Sequence, residues 1–489
     1  MAVSLANFMA YLDNNVTNVA LPTIQRNLHL STAGLEWIVS SYVLALASLL
    51  LVGGRLADVY GRRRIFLTGL AVFTVSSLAA GLAGSGDVLI AARAVQGMAA
   101  ALMLPATLAI LLHAFTEPRE RTAAIGLWAA VGGLALAVGP VIGGIISQHI
   151  HWGWIFLINV PVGVITFAIA LPSIAESRAQ SRAETSAQSR GISSRLDVPG
   201  LITSTIALTA LTYALIEGPN IGWTSAPIIA AFAAAVVTAA VFLTIETRVA
   251  DPMVSLPIFR SRQFSGGTGT MMIWGFGILG IYFFTSLYLQ DVLGFSPTKA
   301  GLAFVPMALC LAVFSGLAGR VVAIIGSHRT VALGMALMTV GLVLFARLGF
   351  GAGIGSLLPG FVLFGAGAGL MNVPLTNVVM ESAPSAQSGI ASALLNASRE
   401  VAGLLGITVI GAVLRAREAA SLRGGASAPR AFLDGYHTGL WVTIALLAAG
   451  VVLSYLTLLP RAGAVGTEPL ASEIPAVQTT DSLSPNVPS

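Results

Sequence analysis

One carboxylate stands inside an apolar segment near the start of the chain. Asp13 lies in the stretch FMAYLDNNVTNVALPT, residues 8–23. Four more polar side chains follow it closely: Asn14, Asn15, Thr17 and Asn18. An acid is costly in apolar surroundings, and where those surroundings alternate with water its carboxyl group can bind and release a proton. Asp13 is therefore a candidate proton site.

Arg93 is a second costly residue, within the apolar run 88–112. A guanidinium stays charged at physiological pH, so a buried arginine needs an acceptor, and Asp13 is the natural candidate. One ion pair would account for both charges. Two interpretations stay open: Asp13 exchanges protons with Arg93 as its partner, or the two residues form a permanent structural pair.

Arg399 and Glu400 are adjacent in another apolar run, at about 388–414. Neighbouring side chains on a helix do not face each other, so we do not expect both to meet one partner. Glu400 is a candidate second proton or cation site. The alternative is an ion pair near a helix end, away from any substrate route.

The composition indicates a membrane protein. Of 489 residues, 56% are hydrophobic and 9% are charged, with a mean hydropathy of +0.87, whereas soluble domains carry about 25% charged residues. The net charge of +5 reflects arginines in the gaps between apolar runs, which favours a role in membrane topology over nucleic-acid binding. With Cys310 as the single cysteine, no intrachain disulfide is expected, and we expect no metal site and no cofactor.

Apolar runs of about 20 residues are long enough to cross a bilayer. They predict fourteen transmembrane helices, at about 3–23, 36–56, 65–85, 88–112, 122–147, 153–173, 197–217, 226–247, 266–290, 298–322, 329–348, 353–379, 388–414 and 436–459. The predicted fold is therefore an all-α polytopic membrane protein.

The arginines predict the orientation of these helices. With both termini cytoplasmic, the inner loops and the tail hold sixteen arginines and the outer loops hold seven basic residues. Four of those seven lie in a predicted long outer loop at about 415–435, and long loops escape the positive-inside rule more easily than short ones. We therefore expect a multi-pass protein of the cytoplasmic membrane. The 24 arginines against one lysine favour a bacterial source with a GC-rich genome.

Two stretches repeat without gaps. GRLADVYGRRR at 54–64 and GRVVAIIGSHR at 319–329 share both glycines and two arginines, and each follows the second helix of a six-helix set. Two additional helices account for the spacing, which predicts a 6+2+6 arrangement of pseudo-symmetric halves, as in many secondary transporters. The predicted parts are an N-terminal half (1–175), a cytoplasmic linker (176–196), the two additional helices (197–247), a second linker (248–265), a C-terminal half (266–459) and a disordered cytoplasmic tail (460–489).

Several motifs resemble one transporter family. GRLADVYGRRRIFL is similar to the signature of the major facilitator superfamily, with Val59 in place of the usual arginine, and LIAARAVQGMAAA is similar to its fourth-helix motif with Arg93. VGPVIGGIIS at 138–147 matches the fifth-helix motif of proton antiporters. LDNNVTNVALPTI and WGWIFLINVPVG resemble the fourteen-helix drug:proton antiporter branch of the QacA and EmrB type, with Gly153 where that branch has arginine.

The resemblance implies two structural devices. The first is a conformational latch between the halves, formed by Gly54, Asp58, Gly61 and Arg62. The second is a tight, gated helix seam that prevents proton leak, formed by Gly139, Pro140, Gly143 and Gly144. The alternatives are a topology signal for the arginine-rich loop and simple close packing for the glycines, since small residues let helices touch.

The resemblance also implies a central substrate cavity between the halves. Its candidate residues are Asn14, Asn18, Trp37, Tyr42, Trp128, Trp274, Tyr282 and Arg399. The sequence does not rank the aromatic residues among them.

The predicted function is proton-coupled efflux of lipophilic drugs, antibiotics or other toxic compounds by alternating access. The expected partners are protons, small lipophilic substrates including cations, and the lipid bilayer, with no nucleic acid and a monomeric chain. No ATP-binding Gly-rich loop is present, because Lys299 is the only lysine and follows FSPT. The alternatives are export of a single self-made metabolite, uptake of a nutrient, a membrane-embedded enzyme, and a receptor without transport.

Overall fold

The computed structural model describes residues 1–115, 117–176, 197–249, 252–254, 256–383 and 388–459. Within these ranges, the side chains of residues 58, 118, 119, 122, 125, 129 and 388–390 are not described. The linker 177–196 and the tail 460–489, for which we predicted polar and disordered segments, lie outside the described residues.

The described chain is helical throughout. Its α-helices are α1 (Ala2–Leu28), α2 (Thr32–Tyr60), α3 (Arg62–Gly81), α4 (Gly86–Ala114), α5 (Pro118–His149), α6 (Trp154–Leu157), α7 (Asn159–Ser173), α8 (Val198–Ile221), α9 (Ala226–Glu246), α10 (Arg262–Leu287), α11 (Pro297–Ile325), α12 (Ser327–Phe345), α13 (Ile354–Glu381), α14 (Ser388–Arg423) and α15 (Ala428–Thr457). A 3₁₀ turn (Leu256–Arg260) precedes α10, and a π-helical turn (Tyr288–Val292) continues it.

Thirteen helical segments in the described chain are long and apolar enough to cross a membrane, with α6 and α7 together forming one of them. Helix α1 is not among them, because its polar tract around Asp13 lowers its hydropathy. It is as long as the others, at 27 residues, and is buried along most of its length. Counting α1 gives the fourteen helices that the sequence predicted.

The helices form two six-helix halves with the same packing order. In the N-terminal half α1 packs on α5, and α4 packs on α2 and α3. In the C-terminal half α10 packs on α14, and α13 packs on α11 and α12. The N-terminal half therefore consists of α1 to α7 and the C-terminal half of α10 to α15.

The repeated sequence motif marks the same turn in both halves. Gly61 joins α2 to α3 with φ 112°, and Gly326 joins α11 to α12 with φ 82°. These positive φ values favour glycine, because a Cβ atom is strained there. The sequence repeat therefore corresponds to a structural one.

The inserted helices α8 and α9 pack on each other, and α8 also contacts α2 and α14. Large apolar side chains on their outer faces are exposed, including Ile202, Ile229, Val236 and Val237. In a membrane these faces meet lipid. One edge of α8 thus lies where the two halves meet.

The predicted outer loop at 415–435 is wrong. Helix α14 has 36 residues and continues to Arg423, and α15 begins at Ala428, so only residues 424–427 separate them. The sequence from 415 onwards has low hydropathy and was therefore predicted to be a loop. A charged helix end that extends beyond the apolar layer of the membrane has the same composition. Arg415 and Arg417 are therefore helical residues.

Candidate functional site

Asp13 lies in a closed hydrogen-bonded network. Its side chain is inaccessible to solvent and forms an ion pair with Arg93 through Oδ2. Its Oδ1 accepts hydrogen bonds from the amides of Gln96 (3.2 Å) and Asn159 (2.8 Å). Helices α1, α4 and α7 therefore meet at one carboxylate.

Arg93 contacts polar and aromatic groups of three helices besides Asp13, while its Nη2 lacks a hydrogen-bond partner among the described residues. Its Nη1 also donates to Gln96 Oε1 at 3.0 Å, and its Nε donates to the Ile38 carbonyl at 3.3 Å. Its guanidinium lies 4.3 Å from the centre of the Tyr42 ring and 5.6 Å from that of Phe156. Cation–π contacts of this kind stabilise a desolvated guanidinium by about 2 kcal/mol.

Small residues bring the helices of this network close together. A Cβ atom on Gly97 would lie 2.2 Å from the Tyr42 carbonyl oxygen, so α2 and α4 touch through their backbones. This contact places the Tyr42 ring beneath Arg93, one turn earlier on α4. Tyr42, a candidate for the cavity, therefore packs within the buried network.

Sequence reasoning missed the uncharged members of the network. Gln96 lies three residues after Arg93, so both lie on one face of α4, and its amide also donates to Ser77 Oγ at 2.8 Å. Asn159 begins α7, 146 residues from Asp13. The i,i+3 spacing could have identified Gln96, but nothing local points from Asn159 to Asp13.

Arg399 and Glu400 bind each other. Arg399 Nη2 lies 2.6 Å from Glu400 Oε1, and Nε donates to the same oxygen at 3.1 Å. The helical spacing argued against a shared contact, but these long side chains bend around the helix and each becomes the other's partner. The Tyr11 hydroxyl of α1 also contacts Arg399, so this pair faces the N-terminal half.

The aromatic cavity candidates occupy different places. Tyr282 lies in the C-terminal half, with its ring centre 4.4 Å from that of Phe304. Trp37 faces the inserted helices, where its indole N–H donates to Glu217 at 2.9 Å. There it lines a lateral groove of about 420 Å³ with α8 and with Ala231 of α9. Glu217, near the end of α8, is half-buried in this contact.

Five of the cavity candidates carry a buried polar atom without a hydrogen-bond partner among the described residues. These atoms are Asn14 Oδ1, Asn18 Oδ1, Trp128 Nε1, Trp274 Nε1 and Tyr282 Oη. Buried polar groups are usually hydrogen-bonded, so these unpaired atoms are available to a bound molecule or to water.

The arginine-rich turn between α2 and α3 contacts its own half. Glu176 accepts a hydrogen bond from the Arg63 backbone N–H at 3.2 Å, at the start of α3, and Arg62 donates to the Ala109 carbonyl of α4. Gly61 allows this approach, since a Cβ there would lie 2.5 Å from Glu176 Oε1. The Asp58 side chain is outside the described residues, and Gly54 packs near Pro105.

The fifth-helix glycines form close backbone contacts on two sides. Cβ atoms on Gly139 and Gly143 would collide with Asn15 and Val16 of α1, at 2.7 and 2.6 Å. A Cβ on Gly144 would lie 2.4 Å from the Pro297 carbonyl of α11, in the other half.

Helix α11 also approaches α5 closely through a glycine of its own. A Cβ on Gly301 of α11 would lie 2.1 Å from the carbonyl oxygen of Pro140. All four motif residues therefore belong to a three-helix seam between α1, α5 and α11.

The contacts between the halves concentrate at one end of the bundle. We call this the distal end, where α1 ends and α2 begins, and the opposite one the proximal end. Ser286 Oγ donates to the Asn18 carbonyl and Gln290 Nε2 to the Val19 carbonyl, both at 2.8 Å. Together with the α5–α11 seam, these bonds close the distal end.

A second buried ion pair joins the halves at this end. Glu36 of α2 is fully buried and pairs with Arg415 of α14, which is 8% exposed. The sequence analysis missed Glu36 because it started α2 at residue 36. Helix α2 begins a turn earlier, where Ser31 Oγ caps the N–H of Gly34, and this extension places Glu36 inside the helix rather than at its end.

Two six-helix halves with buried charges between their helices define a polytopic membrane transporter fold. The sequence model of the Major Facilitator Superfamily matches residues 3–407. The chain belongs to this superfamily.

Curated relatives are resistance and export proteins. The chain is 36% identical to the multidrug resistance protein Stp of Mycobacterium tuberculosis, over 86% of this chain and 76% of that protein. It is 36% identical to the tetracenomycin C resistance and export protein of Streptomyces glaucescens (85% and 76%) and 34% identical to a puromycin resistance protein of Streptomyces alboniger (93% and 88%).

Solved transporters share the fold. The nucleoside transporter NupG matches with a TM-score of 0.64 at 12% identity, covering 94% of this chain and 99% of that one. The POT family transporter PepTSo matches with a TM-score of 0.65 at 14% identity, covering 92% and 97%.

Proposed function

We propose that this protein is a proton-coupled antiporter that exports lipophilic drugs or antibiotics by alternating access. The observation that carries the proposal is the buried Asp13 network in a chain whose relatives are resistance and export proteins. An acid enclosed by three donors can exchange its proton only when the surrounding helices move, which links protonation to conformation.

The coupling runs along α1. Protonation of Asp13 removes the charge that holds Arg93, and α1 is then released from α4 and α7. Asn18 and Val19 lie five and six residues further on, about 8 Å along the helix axis, and their carbonyls accept the bonds from α10. A shift of α1 therefore acts directly on the contact that closes the distal end.

The remaining assignments belong to the same proposal. With cytoplasmic termini, as the arginine distribution favours, the distal end is the outer face and the substrate enters from the cytoplasm. Glu400 with Arg399 serves as a second charged site on the C-terminal half. The arginine-rich turn acts as a conformational latch, and the glycines of α5 seal the helix bundle against proton leak. The protein works as a monomer in the bacterial cytoplasmic membrane. It transports its substrate and catalyses no chemical reaction.

The substrate class follows from the relatives and the unpaired polar atoms. Their names mention tetracenomycin C and puromycin as well as multidrug resistance. Trp128, Trp274 and Tyr282 combine aromatic rings with unpaired polar atoms, a chemistry that suits bulky amphipathic molecules. A dedicated exporter of one such antibiotic is the second candidate, favoured by relatives named for single compounds.

The test is a susceptibility and accumulation panel in cells that lack their own efflux pumps. Cells expressing this chain should accumulate less of several lipophilic antibiotics, and a proton uncoupler should abolish the difference. Export of a single compound only would favour the dedicated exporter. Export that is unaffected by the uncoupler would refute proton coupling.

A further inference from the structure

The ion pair between Glu36 and Arg415 has no part in the mechanism above. It joins α2 of the N-terminal half to α14 of the C-terminal half at the distal end. Any opening of that end separates these two helices, so the pair must break once in every transport cycle.

The inserted helix α8 takes part in this contact. Pro219 has no backbone N–H, so the Leu215 carbonyl, four residues earlier, lacks its partner within the helix. Arg415 Nη2 donates to this carbonyl at 3.3 Å and to the Ile216 carbonyl at 2.9 Å. Arg415 therefore has three acceptors, of which two are on α8.

Glu36 has no comparable second partner. Its Oε2, like Arg415 Nε, lacks a hydrogen-bond partner among the described residues. Gly411 of α14 provides the space for the carboxylate, since a Cβ there would lie 2.3 Å from Glu36 Oε1. A buried ion pair that is only partly satisfied gains little net stability from its charges, so it can be exchanged during a conformational change.

The two residues differ in how they can respond to separation. Arginine does not release its proton in proteins, whereas a carboxylate left alone in apolar surroundings is neutralised by binding one. The charged groups near Glu36 are Arg415 of α14 and Glu217 of α8, while Glu418 lies beside Arg415 on α14. Of these only Arg415 favours the carboxylate form, so its departure leaves Glu36 among acids.

We propose that Glu36 is a further proton-binding site, distinct from Asp13 and Glu400, which takes up a proton when α2 and α14 separate and releases it when Arg415 returns. The site rests on the alternating access proposed above. In this proposal the inserted helix α8 also contributes to closure of the distal end, because its backbone carbonyls position Arg415.

The test measures opening of the distal end without substrate or proton gradient. The reporter is Thr298→Cys, on an Asp13→Asn and Cys310→Ser background in lipid nanodiscs, labelled with a maleimide. The parent of this test therefore lacks the Asp13 carboxyl group, so that a change of pH does not act on the distal end through α1. Thr298 lies at the α5–α11 seam, where its N–H donates to Gln148, on different helices from Glu36. Labelling rates are measured from pH 5.5 to 8.5. They are divided by the labelling rate of Gly84→Cys, a position with open space around it, which corrects for the effect of pH on thiol ionisation.

We expect normalised labelling of the parent to rise at least fivefold as the pH falls, because protonation of Glu36 frees α2 from α14. Glu36→Gln should label at least fivefold faster than the parent at pH 8.5 and show no pH dependence. Asp87→Asn, an exposed acid at the same end, should follow the parent.

The double variant Glu36→Gln with Arg415→Gln leaves no buried charge unpaired, so it carries the test if Glu36→Gln alone does not fold. Its profile should also be flat. A parent pH profile retained in either variant would overturn the proton site. If labelling behaves as expected but the protein shows no export that is sensitive to the uncoupler, the proposed antiport is refuted while the Glu36 proton site stands.

Discussion

The side-chain amide of Asn159 donates to Oδ1 of Asp13 over 2.8 Å, which ties the start of α7 to the middle of α1. This bond joins the sixth membrane crossing to the first. Since Arg93 and Gln96 reach the same carboxylate from α4, one side chain of α1 binds both α4 and α7.

Replacing Asp13 by Asn should abolish uncoupler-sensitive efflux, because the amide keeps the shape but cannot titrate. The measurement is drug accumulation in pump-deficient cells, normalised to the amount of folded protein in the membrane. Asp87→Asn is the matched control and should export normally. Normal efflux by Asp13→Asn would remove Asp13 from the coupling mechanism.

Arg93→Ala should destabilise the protein by about 3–5 kcal/mol, because it leaves a buried carboxylate without its counter-charge. Combined with Asp13→Asn, the loss should be much smaller than the sum of the two single losses, since contacting residues couple. Thermal unfolding in detergent measures the three variants. Additive losses would contradict a direct pair.

Asn159→Ala should cost about 1–3 kcal/mol of stability, because it removes one donor from a buried carboxylate. Asn396→Ala provides the comparison: that exposed amide bonds only the Ser392 carbonyl of its own helix, and its loss should change stability by less than about 0.5 kcal/mol. Equal effects of the two substitutions would show that Asn159 does not support Asp13.

Gly144→Ala should impair transport, because its Cβ would lie 2.4 Å from a backbone oxygen of α11 and push the halves apart. Gly133→Ala lies on the same helix with nothing within 4 Å of its Cβ and should export like the parent. The Thr298→Cys labelling rate should rise in Gly144→Ala only. An unchanged rate would mean that the α5–α11 seam tolerates a wider spacing.

The sequence predicted those features that depend on strong local signals. Apolar runs gave the helices, and two costly charges, Asp13 and Arg93, required each other. Asn159 was not found because an uncharged amide costs little and its partner lies 146 residues away. Glu36 was missed for another reason: at an assumed helix end an acid needs no explanation, and only the Ser31 cap shows that the helix starts earlier.

The length of α14 gives it the properties of a lever. Its 36 residues span about 54 Å at 1.5 Å per residue, more than the hydrocarbon layer of a bilayer. Tilting such a rod by about 10° around Ser388 would displace Arg415, roughly 40 Å along it, by about 7 Å. A small rotation about the start of α14 would therefore be amplified into a movement large enough to separate Arg415 from Glu36, without bending the helix.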